Sequence, residues 1–193
     1  MKSKASWVSV VVGVGLGIGA IGPASANQLV NGGFEMGDLT GWTVTGNTGF
    51  IGVQCPGPGP TVFQGNCSAF AGPVGSLGFL SQSFSTQPGQ PLAISFAWLP
   101  DGGTPSEFSV ELDMGTANQR TLLDILNPSA SGFRVGTLFS TARGTTTTLS
   151  FNLRDDPGFI FLDAVSVVPE PASIALLGIG LVGLWAGRAR KRQ

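Results

Sequence analysis

The sequence predicts an all-β fold, an antiparallel β-sandwich of the jelly-roll type, lying between two targeting segments. Ten short runs rich in Phe, Val, Leu, Ile, Ser and Thr are separated by Gly, Pro, Asn and Asp, which is typical of strands joined by turns. Several runs alternate large apolar residues with small or polar ones, the pattern of a strand with one buried face. No ten-residue window between residues 27 and 168 has a convincing helical period. Many short strands of this kind favour a sandwich.

The predicted strands follow one another along residues 27–167, a length typical of one domain. The clearest alternation runs from Leu92 to Trp98, where the even positions are large and apolar. The run 120–126 is the one that could instead form a turn. The predicted strands are Gly41–Thr45, Gly49–Val53, Ser68–Gly72, Gly78–Ser85, Leu92–Trp98, Glu107–Asp113, Gln119–Ile125, Phe133–Ser140, Thr146–Leu153 and Phe159–Val167.

Residues 1–26 have the organisation of a secretory signal peptide, which predicts an N-terminal signal helix. Two lysines precede the apolar run Trp7–Ile21, and Ala24 and Ala26 then form an A-x-A cleavage site. The alternative is an N-terminal membrane helix, which the small residues and the polar sequence after them disfavour. We therefore expect signal peptidase to cleave after Ala26 and the protein to be exported.

Residues 168–193 form a three-part tail. The break Pro169-Glu170-Pro171 comes first, an uncharged transmembrane segment follows at 172–187, and a basic end occupies 188–193. This tail resembles the PEP-CTERM sorting signal of Gram-negative bacteria that make extracellular polysaccharide. The resemblance implies an exosortase-type processing protease as a partner. It also implies an intermediate anchored in the inner membrane before the protein reaches the cell surface or the extracellular matrix.

The alternative for the tail is a permanent C-terminal membrane anchor. Sixteen residues lie between positions 172 and 187, and as a helix they reach only about 24 Å. This length is less than the roughly 30 Å hydrocarbon core of a bilayer. A short anchor behind a proline-rich break suits temporary retention better than permanent residence.

The charge of the central region differs from that of the whole chain. Residues 27–168 contain ten acidic residues, four arginines and no lysine, so their net charge is −6. An acidic surface of this kind excludes the electrostatic binding of nucleic acid. It suits solubility outside the cell or the binding of cations.

Cys55 and Cys67 are the only cysteines of the chain. In an exported protein they predict one disulfide, which closes a loop rich in proline and glycine. A metal site is the weaker alternative, because the chain contains no histidine and no further cysteine.

Both ends of the central domain are similar to carbohydrate-binding-module-like jelly rolls. The similar motifs are Asn31-Gly32-Gly33-Phe34-Glu35, followed by a Gly41-Trp42 pair, and the run Phe161–Val167 at the other end. The resemblance implies that the first and last strands pair. It also implies that Glu35 and Asp163 meet on a structural Ca²⁺, although Ala164 replaces a residue that is often acidic or an amide in relatives. The alternative is that Glu35 caps a turn and Asp163 accepts a bond from a backbone amide.

Trp98 is the sugar-binding candidate, because it ends a strand just before a loop tip and aromatic faces commonly hold sugars. Its phase in the strand also matches the apolar face, which favours packing in the core. Trp42 belongs to the first motif, and we expect it in the core. Extracellular polysaccharide is thus a candidate partner on the basis of fold resemblance.

Catalysis has little support in the sequence. Without histidine, a Ser or Cys triad lacks its usual base. The remaining carboxylate candidates for glycoside hydrolysis are Glu107 and Glu111, on a solvent face, and Asp155 and Asp156, in a segment with the composition of a hairpin turn. We therefore expect an exported, non-catalytic surface or matrix protein that binds polysaccharide. The alternatives are a purely structural matrix component and, less favoured, a glycoside-active enzyme.

Overall fold

A computed structural model describes residues 26–170 of the chain. This part contains ten β-strands and no α-helix, and the strands form two antiparallel five-stranded sheets. The predicted β-sandwich is therefore confirmed. The strands are β1 (Thr43–Gly46), β2 (Ile51–Gln54), β3 (Ser68–Ala71), β4 (Gly78–Ser85), β5 (Pro91–Pro100), β6 (Ser106–Leu112), β7 (Arg120–Leu126), β8 (Arg134–Thr141), β9 (Thr146–Asp155) and β10 (Ile160–Pro169).

The chain crosses repeatedly between the two sheets, as it does in a jelly roll. Sheet A has the order β1-β4-β9-β6-β7 and sheet B the order β2-β3-β10-β5-β8. The connection from β9 to β10 therefore joins different sheets. The hairpin predicted from the composition of residues 155–158 is wrong for this reason. The run 120–126 is an edge strand of sheet A and not a turn.

The core lies between the sheets and is built by the alternation of apolar side chains. Leu92, Ile94 and Phe96 point inward from β5, as predicted, and their side chains are almost fully buried. The rings of Phe96 and Phe151 meet edge-to-face with their centroids 5.5 Å apart, which is a favoured aromatic geometry. Because strands from both sheets supply these rings, the core joins the two sheets directly.

The N-terminal segment packs against the last strand without forming a strand itself. The Gln28 amide donates to the Val167 carbonyl at 2.8 Å, and the Val165 amide donates to the Gly32 carbonyl at 2.8 Å. The expected pairing of first and last strands is thus wrong as stated, because β10 pairs with β3 and β5 and the segment before β1 makes only isolated contacts. A Cβ at Gly32 would overlap the Val165 carbonyl oxygen, so only glycine permits this close approach.

Residues 26–170 contain no helix that is long and apolar enough to cross a membrane. The signal helix and the transmembrane segment 172–187 lie outside the described residues. Strand β10 continues to Pro169, two residues past the domain boundary that the sequence suggests.

Candidate functional site

Glu35 and Asp163 hold opposite parts of the loop that Cys55 and Cys67 close. Glu35 Oε1 accepts hydrogen bonds from the Asn66 and Cys67 amides at 2.9 and 3.0 Å. Asp163 Oδ2 accepts bonds from the Phe63 and Gln64 amides, each at 2.9 Å. We refer to residues 55–67 as the disulfide loop. Both carboxylates therefore accept hydrogen bonds from backbone amides, which is the alternative to calcium binding that the sequence allows.

The predicted disulfide between Cys55 and Cys67 is confirmed. It joins the two ends of the disulfide loop covalently, while Glu35 and Asp163 accept hydrogen bonds from the loop amides. The bond and the two carboxylates therefore fix the same segment from three directions.

The two carboxylates line one cleft, which we call the carboxylate cleft. Its volume is about 380 Å³, and its lining includes Glu35, Gln64, Asp163 and Asn27. Asp163 is fully buried, because the disulfide loop covers the outer side of β10 at this position. Burial raises the pKa of the Asp163 carboxyl, three backbone amides lower it, and the nearby charge of Glu35 raises it further. The carboxylates are thus close enough to repel each other.

The oxygen atoms that line the carboxylate cleft are of the kind that coordinate a metal cation. Carboxylate and amide oxygens are the ligands that Ca²⁺ takes in proteins, six to eight at a time. Among residues 26–170 no group of three or more His, Cys, Asp or Glu side chains is arranged to hold a metal. Backbone carbonyls, the Asn27 and Gln64 amides and water would therefore have to complete the shell around Glu35 and Asp163.

Trp98 lies in the core, so its assignment as an exposed sugar platform is corrected. Its side chain is 3% exposed and stacks on Phe108, with ring centroids 4.2 Å apart and planes 5° from parallel. The Arg134 guanidinium lies 5.2 Å from the ring centroid, within the range of a cation–π contact. Both ring faces are therefore taken by protein groups. Trp42 is also buried, as expected.

Partly exposed aromatic rings lie instead on the outer face of sheet B. Phe70, Phe159 and Phe161 line an open groove of about 220 Å³ together with Gln54; we call it the Phe groove. Phe70 and Phe159 meet edge-to-face at 5.6 Å. This groove was not among the sites predicted from the sequence, although the alternation of residues along β3 and β10 gives a signal for it. On β3 and β10 the apolar neighbours of Phe70 and Phe161 point inward, so these two rings must point outward.

The carboxylate candidates for catalysis occupy two separate places. Glu107 and Glu111 both point outward from β6 in sheet A, and four residues of strand place their Cα atoms about 13 Å apart. The Glu111 carboxylate accepts hydrogen bonds from Gln119 Nε2 at 3.0 Å and from Thr121 Oγ1 at 2.9 Å. Asp124 faces the same side from β7, and burial together with its charge raises the pKa of the Glu107 carboxyl.

Asp155 and Asp156 lie at one end of the sandwich and differ in their partners. Both oxygens of Asp156 accept from the Gly75 amide, at 3.0 and 3.1 Å. Arg154 also donates to Asp156 through Nε at 2.8 Å. Asp155 is buried, and neither of its oxygens has a hydrogen-bond partner among residues 26–170.

The sorting motif begins inside the folded domain. Pro169 is the last residue of β10 and lies opposite Leu92, and the Glu170 amide donates to the Pro91 carbonyl at 3.1 Å. Pro171 and the cleavage residue Ala24 lie outside the described residues. Ala26, the other cleavage residue, is the first residue described and is exposed.

The chain is similar to known proteins in two respects: its C-terminal region matches a sorting signal, and its central domain shares a fold with solved structures. Residues 167–191 match the PEP-CTERM protein-sorting motif. The chain therefore carries this signal, which indicates an exported, surface-associated protein. No curated protein matches the chain.

Solved structures with the same fold include carbohydrate-binding modules. TmCBM61 in complex with β-1,4-galactotriose has a TM-score of 0.61 at 17% identity, over 76% of this chain and 100% of that chain. The CBM22-1 xylan-binding domain from Paenibacillus barcinonensis Xyn10C has a TM-score of 0.51 at 18% identity, over 76% and 96% of the two chains. At these identities the likeness shows the fold, a jelly roll of the carbohydrate-binding-module type.

One similar structure comes from an enzyme. The enzymatically active domain of bacteriophage CBA120 tailspike protein 4 has a TM-score of 0.59 at 18% identity. The match covers 75% of this chain but only 22% of the tailspike chain. It therefore relates this domain to one part of a larger protein.

Proposed function

We propose that the protein is a non-catalytic polysaccharide-binding protein of the cell surface or extracellular matrix, processed at its PEP-CTERM signal. The Phe groove is the observation that carries the binding part of this proposal. Sugar-binding sites place aromatic faces beside a few polar groups, and ligand sites in general are concave and mostly apolar. Three phenylalanine rings and the Gln54 amide meet both requirements on one sheet face.

The negative charge of the domain favours neutral polysaccharides over acidic ones as ligands. With a net charge of −6 over residues 27–168, the domain repels a polymer that carries many uronate or sulfate groups. We therefore propose a neutral polysaccharide as the ligand, held by ring stacking and hydrogen bonds.

The non-catalytic part of the proposal is supported by the positions of the carboxylates. The Cα atoms of Glu107 and Glu111 lie about 13 Å apart along β6, and the Glu111 carboxylate is already bonded to Gln119 and Thr121. The Glu107–Asp124 pair is the strongest catalytic candidate, because its carboxyls face the same side and the pKa of Glu107 is raised. Incubation of the protein with neutral polysaccharides tests this candidate, and release of reducing sugar that Glu107→Gln abolishes would overturn the non-catalytic proposal.

The processing part of the proposal follows from the tail. An exosortase-type protease would remove the segment after the Pro-Glu-Pro break from an intermediate held in the inner membrane. Intact-mass analysis of the secreted protein tests this directly. Loss of the residues after position 171 is expected, and a mature chain that retains 172–193 would contradict it.

The polysaccharide proposal is tested by affinity electrophoresis of the full-length protein in gels containing neutral polysaccharides, including the producer's own. Phe159→Ala is expected to weaken binding at least tenfold, which is about 1.4 kcal/mol. Phe139→Ala is the matched control, because Phe139 is 67% exposed on edge strand β8 and outside the groove. Equal binding by both variants and the unmodified protein would contradict the groove assignment.

A purely structural matrix role is the second candidate. It is favoured by the burial of both Trp42 and Trp98, which leaves the described domain without an exposed tryptophan. The same assay separates the candidates, since a structural component migrates identically in gels with and without polysaccharide.

A further inference from the structure

Asp155 is a carboxyl group buried at the end of the sandwich without a hydrogen bond. Its side chain belongs to a residue only 1% exposed, and both oxygens are inaccessible to solvent and unpartnered among the described residues. A buried carboxylate in this state strongly destabilises the fold unless a proton or a cation neutralises it. A proton or a bound cation must therefore neutralise Asp155, because no described cationic side chain is hydrogen-bonded to it.

Oxygen atoms from two neighbouring segments surround this carboxyl. The Asp101 carboxyl lies on one side, where its Oδ1 accepts a hydrogen bond from the Gly103 amide. A Cβ added at Gly103 would overlap both Asp155 Oδ1 and the Pro157 carbonyl oxygen. These two oxygens thus approach the same point beside the Gly103 backbone, and the absence of a side chain at Gly103 permits this.

Two hydrogen bonds hold the Asp101 carboxyl in a position from which it can coordinate the same cation as Asp155. Its Oδ1 accepts from the Gly103 amide at 2.9 Å and its Oδ2 from the Phe159 amide at 2.7 Å. These bonds fix the orientation of the group while leaving further lone pairs on its oxygens. Arg154, which precedes Asp155 in the chain, is bonded to Asp156 and makes no hydrogen bond to Asp155.

We propose that the carboxylates of Asp101 and Asp155, together with the Pro157 carbonyl, form a divalent-cation site, with calcium as the fitting ion. Calcium accepts mixed carboxylate, carbonyl and water ligands in flexible geometry, whereas Mg²⁺ demands a near-ideal octahedron. One Ca²⁺ neutralises both carboxylates. This site is separate from the carboxylate cleft, because Asp155 ends β9 and Asp163 lies within β10, under the disulfide loop.

The cation would connect the loop after β5 to the turn between β9 and β10. That turn carries Phe159, whose amide already donates to Asp101. The site therefore stabilises the segment that presents one ring of the Phe groove. This consequence for sugar binding rests on the proposed function, but cation binding itself does not.

The test is isothermal titration of the chelator-treated, full-length protein with CaCl₂, repeated with MgCl₂. Asp155→Asn is expected to remove one calcium equivalent or weaken it at least tenfold, because the neutral amide keeps the shape of the side chain without its charge. Two control variants, Glu35→Gln in the carboxylate cleft and Asp156→Asn beside the site, are expected to keep the Asp155-dependent equivalent. Calcium is expected to bind more tightly than magnesium there.

Two results would overturn the site. One is calcium binding by Asp155→Asn with the stoichiometry and affinity of the unmodified protein. The other is no calcium binding by the unmodified protein, in which case Asp155 is neutralised by a proton shared with Asp101. If Asp155→Asn does not fold, as judged by circular dichroism, Asp101→Asn replaces it with the same expected loss. The titration measures calcium binding alone, so its result does not depend on whether the protein binds polysaccharide.

Discussion

Asp163 and Glu35 divide the backbone amides of the disulfide loop between them. Asp163 accepts the Phe63 and Gln64 amides from the buried side, and Glu35 accepts the Asn66 and Cys67 amides from the exposed side. The same two residues are those that the resemblance assigned to calcium. Their hydrogen bonds give them a structural role that does not depend on a metal.

Removal of Asp163 should destabilise the fold more than removal of Glu35. Asp163→Ala leaves the partly buried Phe63 and Gln64 amides without their acceptor, and bonds to a charged group contribute more than neutral ones. We expect a decrease of about 3 kcal/mol in the free energy of unfolding. Glu35→Ala should have a smaller effect, because water can replace an exposed carboxylate. Urea unfolding in the presence of chelator measures both, and equal effects would contradict this division.

Calcium should raise the melting temperature through the carboxylate cleft if the cleft holds the ion. Binding to the folded state alone stabilises it by mass action. Glu35→Gln should then reduce the calcium-dependent increase while leaving the increase due to Asp155 in place. Differential scanning calorimetry with calcium and with chelator measures this, and an increase identical in Glu35→Gln and the unmodified protein would exclude the cleft.

The disulfide should contribute substantially to stability. Replacing both Cys55 and Cys67 by serine removes the closure of the loop from the unfolded chain, which is worth on the order of 3 kcal/mol for a loop of this size. The variant should also release the loop amides from Glu35, seen as faster hydrogen exchange at Asn66. An unchanged exchange rate would mean that the carboxylates alone hold the loop.

The sequence predicts which residues of a strand face inward, but it does not predict which loops far apart in the chain come into contact. The predicted bounds of β4, Gly78–Ser85, coincide with the observed ones, because a regular alternation determines both ends. The same phase placed Trp98 on the inward face, yet the adjacent loop tip suggested exposure. Stacking on Phe108 decided the matter, and this contact depends on how the two sheets pack.

The candidate sites depended on contacts between segments far apart in the chain. The Phe groove combines rings from β3, β10 and the turn before β10 with an amide from β2. Asp155 was read as part of a hairpin turn, because composition does not tell whether a turn crosses between sheets. Its burial beside Asp101 follows from that crossing.

Glu107 should titrate above the usual range of a glutamate. Burial is the main cause of the raised pKa, and Asp124 adds to it. Asp124→Asn should therefore lower the pKa of Glu107, which an NMR titration of its carboxyl carbon measures. Because the folded-state pKa is raised, this group's contribution to stability is complete below the unfolded pKa of about 4.3 and is lost as pH rises through the folded value. An unchanged pKa in Asp124→Asn would mean that burial alone causes the shift.

Trp98→Ala should reduce stability without directly removing a sugar contact. The substitution leaves a cavity beside Phe108 in the core, and such changes cost about 3–5 kcal/mol. Trp98→Phe keeps an aromatic ring in the stack and should cost less. Thermal unfolding measures both variants, and affinity electrophoresis of the folded fraction should give the binding of the unmodified protein. If folded Trp98→Phe no longer bound polysaccharide, Trp98 would have to contact the sugar directly. The smaller ring preserves the core, so only the surface that meets a ligand would have changed.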